Sequence, residues 1–243
     1  SDVCSSDLSG FIEQPDVNSK ISSSEKLTLT TSRFENQGLL GSSDELSLKI
    51  IKGTDEATSW NKGVLQSGQH LRIESDKELR HEKTGQIIGS SIFIKGIGKF
   101  VNASVVESHS ELKIKIAEFE NQEILMVPGA FKFSGKTFEN SAFMDVAGET
   151  IFENLKSFEN TKEGHLIAQK SLTFLNGDLF QNEGTIKSTQ GITLNTLNMH
   201  NTGQLTSQGK TNFRVTKQLQ NEGTLVSHDE MRMTAREIGR AHV

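Results

Sequence analysis

Three carboxylates have the spacing of a site. Glu120, Glu139 and Glu159 are each the middle residue of a Phe-Glu-Asn triplet, 19 and 20 residues apart. If the triplets stack, the carboxylates form a column at about 4.8 Å, the spacing of paired strands. Such a column repels itself unless a cation such as calcium, or basic neighbours, compensate it. Lys132, Lys136 and Lys156 are the available bases, and they predict a hydrated, outward, partly neutralised row. Other reactive residue types are dispersed. His70, His81, His109, His165, His200 and His228 are scattered singly and Cys4 is the only cysteine, so zinc-ligand spacing is missing. "KGIGKF" (95–100) lacks the Gly-x-x-x-x-Gly-Lys-Ser/Thr spacing of a phosphate cradle and reads as a glycine-rich corner. "SHDE" (227–230) sets His beside acids, but strand neighbours point to opposite faces, so it reads as a solvated turn. Asn102-Ala103-Ser104 matches a glycosylation sequon, yet Asn102 belongs to an interior series described next. No cofactor or metal is expected.

The elements that carry these residues repeat. "FENQG" (34–38), "FENQE" (119–123), "FENSA" (138–142), "FENTKEG" (158–164) and "FQNEG" (180–184) share one cadence. With Asn as anchor the series is Asn18, Asn36, Asn61, His81, Asn102, Asn121, Asn140, Asn160, Asn182, Asn201 and Asn221, at intervals of 18 to 25 residues. Two residues earlier stand Phe34, Leu79, Phe100, Phe119, Phe138, Phe158, Phe180, Met199 and Leu219. Four residues later comes an aliphatic such as Leu40 or Ile186, and about ten later an apolar pair such as Leu46 and Leu48. Trp60 falls one position late and should point outward.

Within each short run the alternation has period two, which is the signature of strands. A unit of three short strands cannot bury its apolar side chains alone, whereas stacked copies share one core. Copies running the same way pair in parallel, and their connections are too short for crossover helices. The expected fold is all-β, a parallel β-helix of about ten coils of roughly 20 residues, with a rod length on the order of 50 Å. In such a stack a repeated Phe becomes a column of rings and a repeated Asn becomes a ladder of amides. Asn tolerates left-handed backbone at a corner, and the Gly two residues on (Gly38, Gly63, Gly184, Gly203, Gly223) would ease the same corner.

Bulk properties agree. Apolar residues make up only 33%, Gly is plentiful at 21, Pro is scarce at 2 and Tyr is absent, a composition for strands and turns. The charge of -5 gives no reason to expect nucleic-acid binding, and no apolar run is long enough to insert in a membrane.

The ends differ from the body. Residues 1–8 (SDVCSSDL) and 237–243 (EIGRAHV) can be encoded by opposite strands of one oligonucleotide and resemble translated sequencing adapter. On that reading they add nothing to the fold, and residues 9–236 form a single array from within a longer protein.

The stretches "FQNEGTIKSTQGITLNTLNMHNTGQLTSQG" (180–209) and "LQNEGTLVSHDEMRM" (219–233) resemble the haemagglutinin repeats of filamentous-haemagglutinin-type exoproteins. The resemblance covers roughly residues 18–235. It implies a right-handed parallel β-helix, secreted to the surface of a Gram-negative bacterium through an outer-membrane transporter. It also implies a non-catalytic stalk, part of an adhesin or toxin-delivery filament, facing a receptor on a host or neighbouring cell. The structural ladder would consist of Asn36, Asn61, Asn102, Asn121, Asn140, Asn160, Asn182, Asn201 and Asn221 with Phe34, Phe100, Phe119, Phe138, Phe158 and Phe180. Two other readings exist for a β-helix. One is a carbohydrate-active enzyme of polysaccharide lyase or phage tailspike type, which needs acids and a base converging on one groove; Asp145 and Asp178 are isolated in sequence. The other is a cytoplasmic polymer-former.

Overall fold

A computed structural model describes residues 7–9, 12–14, 18–53 and 57–241. Among the described residues there is no helix, and all strand pairing is parallel. The chain is a β-solenoid of about 11 turns. It divides into two compact units, Ser1–Met126 and Val127–Val243.

Each coil carries three strand segments, here called the first, second and third faces. In the first unit the first face holds Phe34–Asn36, Ser59–Asn61, Leu79–His81, Lys99–Asn102 and Glu118–Asn121. Their register sets Asn36 beside Asn61, Asn61 beside His81, His81 beside Asn102 and Asn102 beside Asn121. The other two faces are joined in the long strands Val64–Ser75, Gln86–Lys95 and Val105–Lys115, which bend round the intervening corner. The third face fills the interior with two aliphatic columns: Leu46, Leu71, Ile92 and Leu112, and Leu48, Ile73, Ile94 and Ile114. All eight are buried. Burying such a side chain gains roughly 1.5–3 kcal/mol, and this is what drives stacking.

In the second unit the continuity falls at a different corner. Ser171–Asn182, Gly191–Asn201 and Lys210–Asn221 join the third face to the first, and the second face is carried by short strands such as His165–Ala168 and Thr185–Ser188. The corner before the first face is built differently in the two units. In the first unit, turns such as Gly96–Ile97–Gly98 interrupt the chain before the first face, and Gly96 has φ 148°, a conformation that side chains rarely adopt. In the second unit Asn154 and Asn176 stand at the equivalent corner with φ 60° and 56°, while Gly191–Asn201 and Lys210–Asn221 run through it without a left-handed residue inside the corner.

The terminal segments extend the pairing. Asp7–Ser9 aligns with Thr28–Thr30, and Glu237 and Ile238 align with Gln218 and Leu219. Residues 7, 8 and 237–241 are thus aligned with the array although their sequence lacks its repeat. A parallel ladder needs only backbone donors and acceptors, which any sequence offers. The side chains do not follow the pattern: Leu219 is buried, whereas Ile238 is 59% exposed. Residues 1–6, 242 and 243 lie outside the described residues.

Candidate functional site

The ladder is built from side chains that alternation points inward. Strand Ser157–Asn160 buries Phe158 and Asn160 and leaves Ser157 and Glu159 half-exposed. An amide there must find partners, since an unpaired buried polar group costs about 1–3 kcal/mol. Several ladder asparagines find them in two directions. Asn140 Nδ2 donates to Asn160 Oδ1 at 2.8 Å, Asn160 to Asn182 at 2.9 Å, Asn182 to Asn201 at 2.7 Å and Asn201 to Asn221 at 2.7 Å. The second amide hydrogen turns back to the same corner: Asn140 to the Ala142 carbonyl, Asn160 to Gly164, Asn221 to Gly223. In the first unit Asn36 donates to Asn61 at 2.7 Å and Asn102 to Asn121 at 2.8 Å. Each of these bonds donates toward the C-terminus.

Two sequence expectations about the corner are corrected. The ladder asparagines sit in ordinary strand backbone; among the described residues only Asn154 and Asn176 are left-handed apart from glycines. Asn is used here for its amide. The glycines that follow do not have positive φ either. A Cβ at Gly63 would collide with the Gly38 carbonyl, at Gly203 with that of Gly184, and at Gly223 with that of Gly203. Gly is needed because successive coils approach closely.

The Phe series does form columns. Phe100 stacks on Phe119 at 5.7 Å, Phe138 on Phe158 at 5.6 Å and Phe158 on Phe180 at 5.1 Å. Phe34 is buried, but the slot above it holds Ser59, whose hydroxyl accepts from the Phe34 N–H at 3.1 Å. Trp60 consequently lies on the outer side, with the Lys62 ammonium 4.8 Å from its ring. The apolar pair forms a second ring column, and its edge-on contact with the first is what sequence reasoning missed. Phe152 stacks on Phe174 at 4.7 Å and meets Phe138 and Phe158 edge-on at 4.8 and 5.0 Å. Its register runs through Phe133, Phe152, Phe174, Leu194 and Phe213, the second member of the apolar pair that follows each anchor.

His81 occupies an Asn position and changes the wiring. Its Nδ1 lies 3.1 Å from Asn61 Nδ2 and its Nε2 lies 2.9 Å from the Val105 carbonyl. The amide can only donate and the carbonyl only accept, so Nδ1 accepts and Nε2–H donates: a neutral imidazole. Burial pushes its pKa below the ordinary histidine value, against the bonds to Val105 and the Asn61 backbone, which pull upward. Asn102 Oδ1 then accepts from the Ser104 N–H at 3.4 Å.

The acidic residues are divided between the two units. Glu139 and Glu159 are register partners on an outward row of the second unit. Glu120, in the first unit, is bound by Lys99 Nζ at 2.6 Å and by the Gln122 amide at 2.6 Å. Partial burial pushes its carboxyl pKa up, but those two donors outweigh it and hold it below the usual value. Of the lysines expected to compensate them, Lys132 pairs with Glu153 at 2.9 Å. Among the described residues no group of three or more His, Cys, Asp or Glu side chains converges as a metal site. In "KGIGKF" the Gly96 and Gly98 N–H groups donate to Lys115 and Ser75 carbonyls, which spends the donors a phosphate would need. "SHDE" is an exposed turn closed by the Asp229 carboxylate on the Glu230 N–H. The Asn102 side chain is buried in the ladder.

One concavity was not foreseen. A surface groove of about 350 Å³ on the first unit is lined by His70, Arg72, Ser91, Phe93, Glu111 and Lys113 over a floor of Leu71 and Ile92. Its signal in the sequence is a length difference. Between paired positions Gly89 and Ser91 one residue intervenes, whereas Ser67 to His70 and Ser108 to Glu111 each span two.

No family model, curated protein or solved structure matches this chain. The geometry alone therefore carries the functional reading.

Proposed function

We propose that this chain is a stalk segment of a large secreted bacterial surface protein of the filamentous-haemagglutinin type, exported through an outer-membrane transporter. The observation that supports it is the Asn ladder. Five consecutive coils of the second unit bond amide to amide in one direction, so its most constrained interior residues serve stacking. A protein built this way spreads load over many equivalent bonds, each worth about 1 kcal/mol. The outward residues are freed to face a receptor on a host or neighbouring cell.

The test is the flanking DNA. A very long open reading frame beside a gene for an outer-membrane transporter is expected; a short complete frame would sink the proposal. A second reading, a carbohydrate-active β-helix, draws on the groove around Ser91, which brings His70, Arg72, Glu111 and Lys113 together. Release of new reducing ends from a polysaccharide incubated with the chain would favour it over the stalk.

A further inference from the structure

The groove has a local cause. The coil 86–95 turns its corner with one residue fewer than the coils on either side, so its wall is drawn in between theirs. The residue at the recess, Ser91, is small, and its register partners His70 and Glu111 stand on the two flanks. Next along the strand, Phe93 points outward and is only half-buried, with Arg72 and Lys113 as its partners. Outward aromatic rings are exceptional on this face; the same row carries Ser47 and Arg72 before it and Lys113 after.

We propose that this groove is a binding subsite for one ring of an acidic saccharide. A pyranose presents a C–H face that packs on an aromatic ring and a rim of hydroxyls that need both donors and acceptors. Phe93 supplies the ring. Ser91 and His70 supply groups that donate or accept, and Glu111 accepts. Arg72 and Lys113 lie two strand spacings apart, roughly 9.6 Å, so the pair brackets a single ring. Within the lining the two positive charges face one carboxylate, Glu111, while Glu45, 3.6 Å from Arg72, stands outside it, so a ring carboxylate in the groove would meet both cations. The existing ion pairs are no obstacle. Lys113 to Glu111 at 2.9 Å and Arg72 to Glu45 at 3.6 Å are surface pairs with cations about half exposed, and such pairs are held weakly. The volume is at the small end for ligand sites, which suits one ring and is too shallow for a helix. A bare phosphate or sulfate would use the cations and leave Phe93 without a role. The inference stands apart from the stalk proposal, since the groove exists whatever the chain belongs to.

The test uses the full chain and two probes, a hexuronate oligomer and its carboxyl-reduced neutral counterpart, titrated by calorimetry or ligand-observed NMR. The uronate is expected to bind with a Kd of about 1 mM or tighter, and the neutral oligomer at least about tenfold more weakly. Phe93→Ala and Ser91→Gln, the latter filling the recess, should each weaken uronate binding about tenfold or more with the thermal midpoint unchanged. The double variant Arg72→Gln, Lys113→Gln should erase the preference for the acid. Absence of binding at about 10 mM, equal binding of the two probes, or uronate binding that survives both Phe93→Ala and Ser91→Gln would each overturn the proposal.

Discussion

The two units solve one stacking problem with different materials. The second has an unbroken ladder from Asn140 to Asn221 and a herringbone of Phe rings, parallel within columns and edge-on between them. The first has aliphatic columns, a Ser in one Phe slot, and a His where the ladder should continue. The second unit follows its own repeat closely. The first departs from it, and its departures are where outward chemistry gathers: Trp60 under Lys62, and the groove around Ser91. A solenoid needs its interior to repeat, but each coil can vary outside as long as backbone pairing survives.

The sharpest way to break this comparison is through the ring columns. Phe158 touches Phe138, Phe152, Phe174 and Phe180. Phe158→Ala should cost about 3–5 kcal/mol by chemical denaturation, at the high end because stacked and edge-on pairs are lost together with the volume. Leu79→Ala, at the equivalent position of the first unit, should cost less, about 2–3 kcal/mol. Equal losses would mean that the herringbone adds nothing beyond its area.

The ladder comes next. Asn160→Leu removes the donor to Asn182 and to the Gly164 carbonyl and the acceptor for Asn140. A loss of about 3 kcal/mol is expected, since several buried groups lose partners at once. The outward neighbour Glu159→Gln should change stability by less than about 0.5 kcal/mol. If the order of these two effects is reversed, the assignment of inside and outside is wrong.

A smaller effect of opposite sign is expected at Thr150. Its hydroxyl is buried with no hydrogen-bond partner, in a column with Phe131 and Leu172. Thr150→Val keeps the shape and removes the unpaired group, and should raise stability by about 1 kcal/mol. A loss in a denaturant titration would show that the hydroxyl has a partner.

The smallest effect at neutral pH belongs to His81. Because burial lowers its folded pKa, the unfolded chain binds the proton more readily. The neutral ladder's contribution is thus present above the unfolded value of about 6.5 and is lost as pH falls below it. A protonated ring would also set an N–H against the Asn61 amide donor. Stability measured from pH 8 down to 5 should fall through this window in the native chain and stay flatter in His81→Asn. Parallel curves would remove His81 as the cause.

Much of this fold was legible in the sequence because its core is written as a repeat. Period-two alternation, the anchors at intervals of 18 to 25 residues and the Phe series determined the all-β class, the parallel stacking and the identity of the ladder. Anything that repeats along the chain is placed above itself in space, so spacing alone fixes those contacts. Features without repetition had to wait for the tertiary structure. The edge-on contacts between the two ring columns, the tautomer of His81 and the reason for the corner glycines depend on what neighbouring faces and coils present, and no single repeat contains that information. The groove is the clearest case: one residue fewer at one corner is invisible as a pattern, yet it becomes a recess once longer corners are paired on both sides.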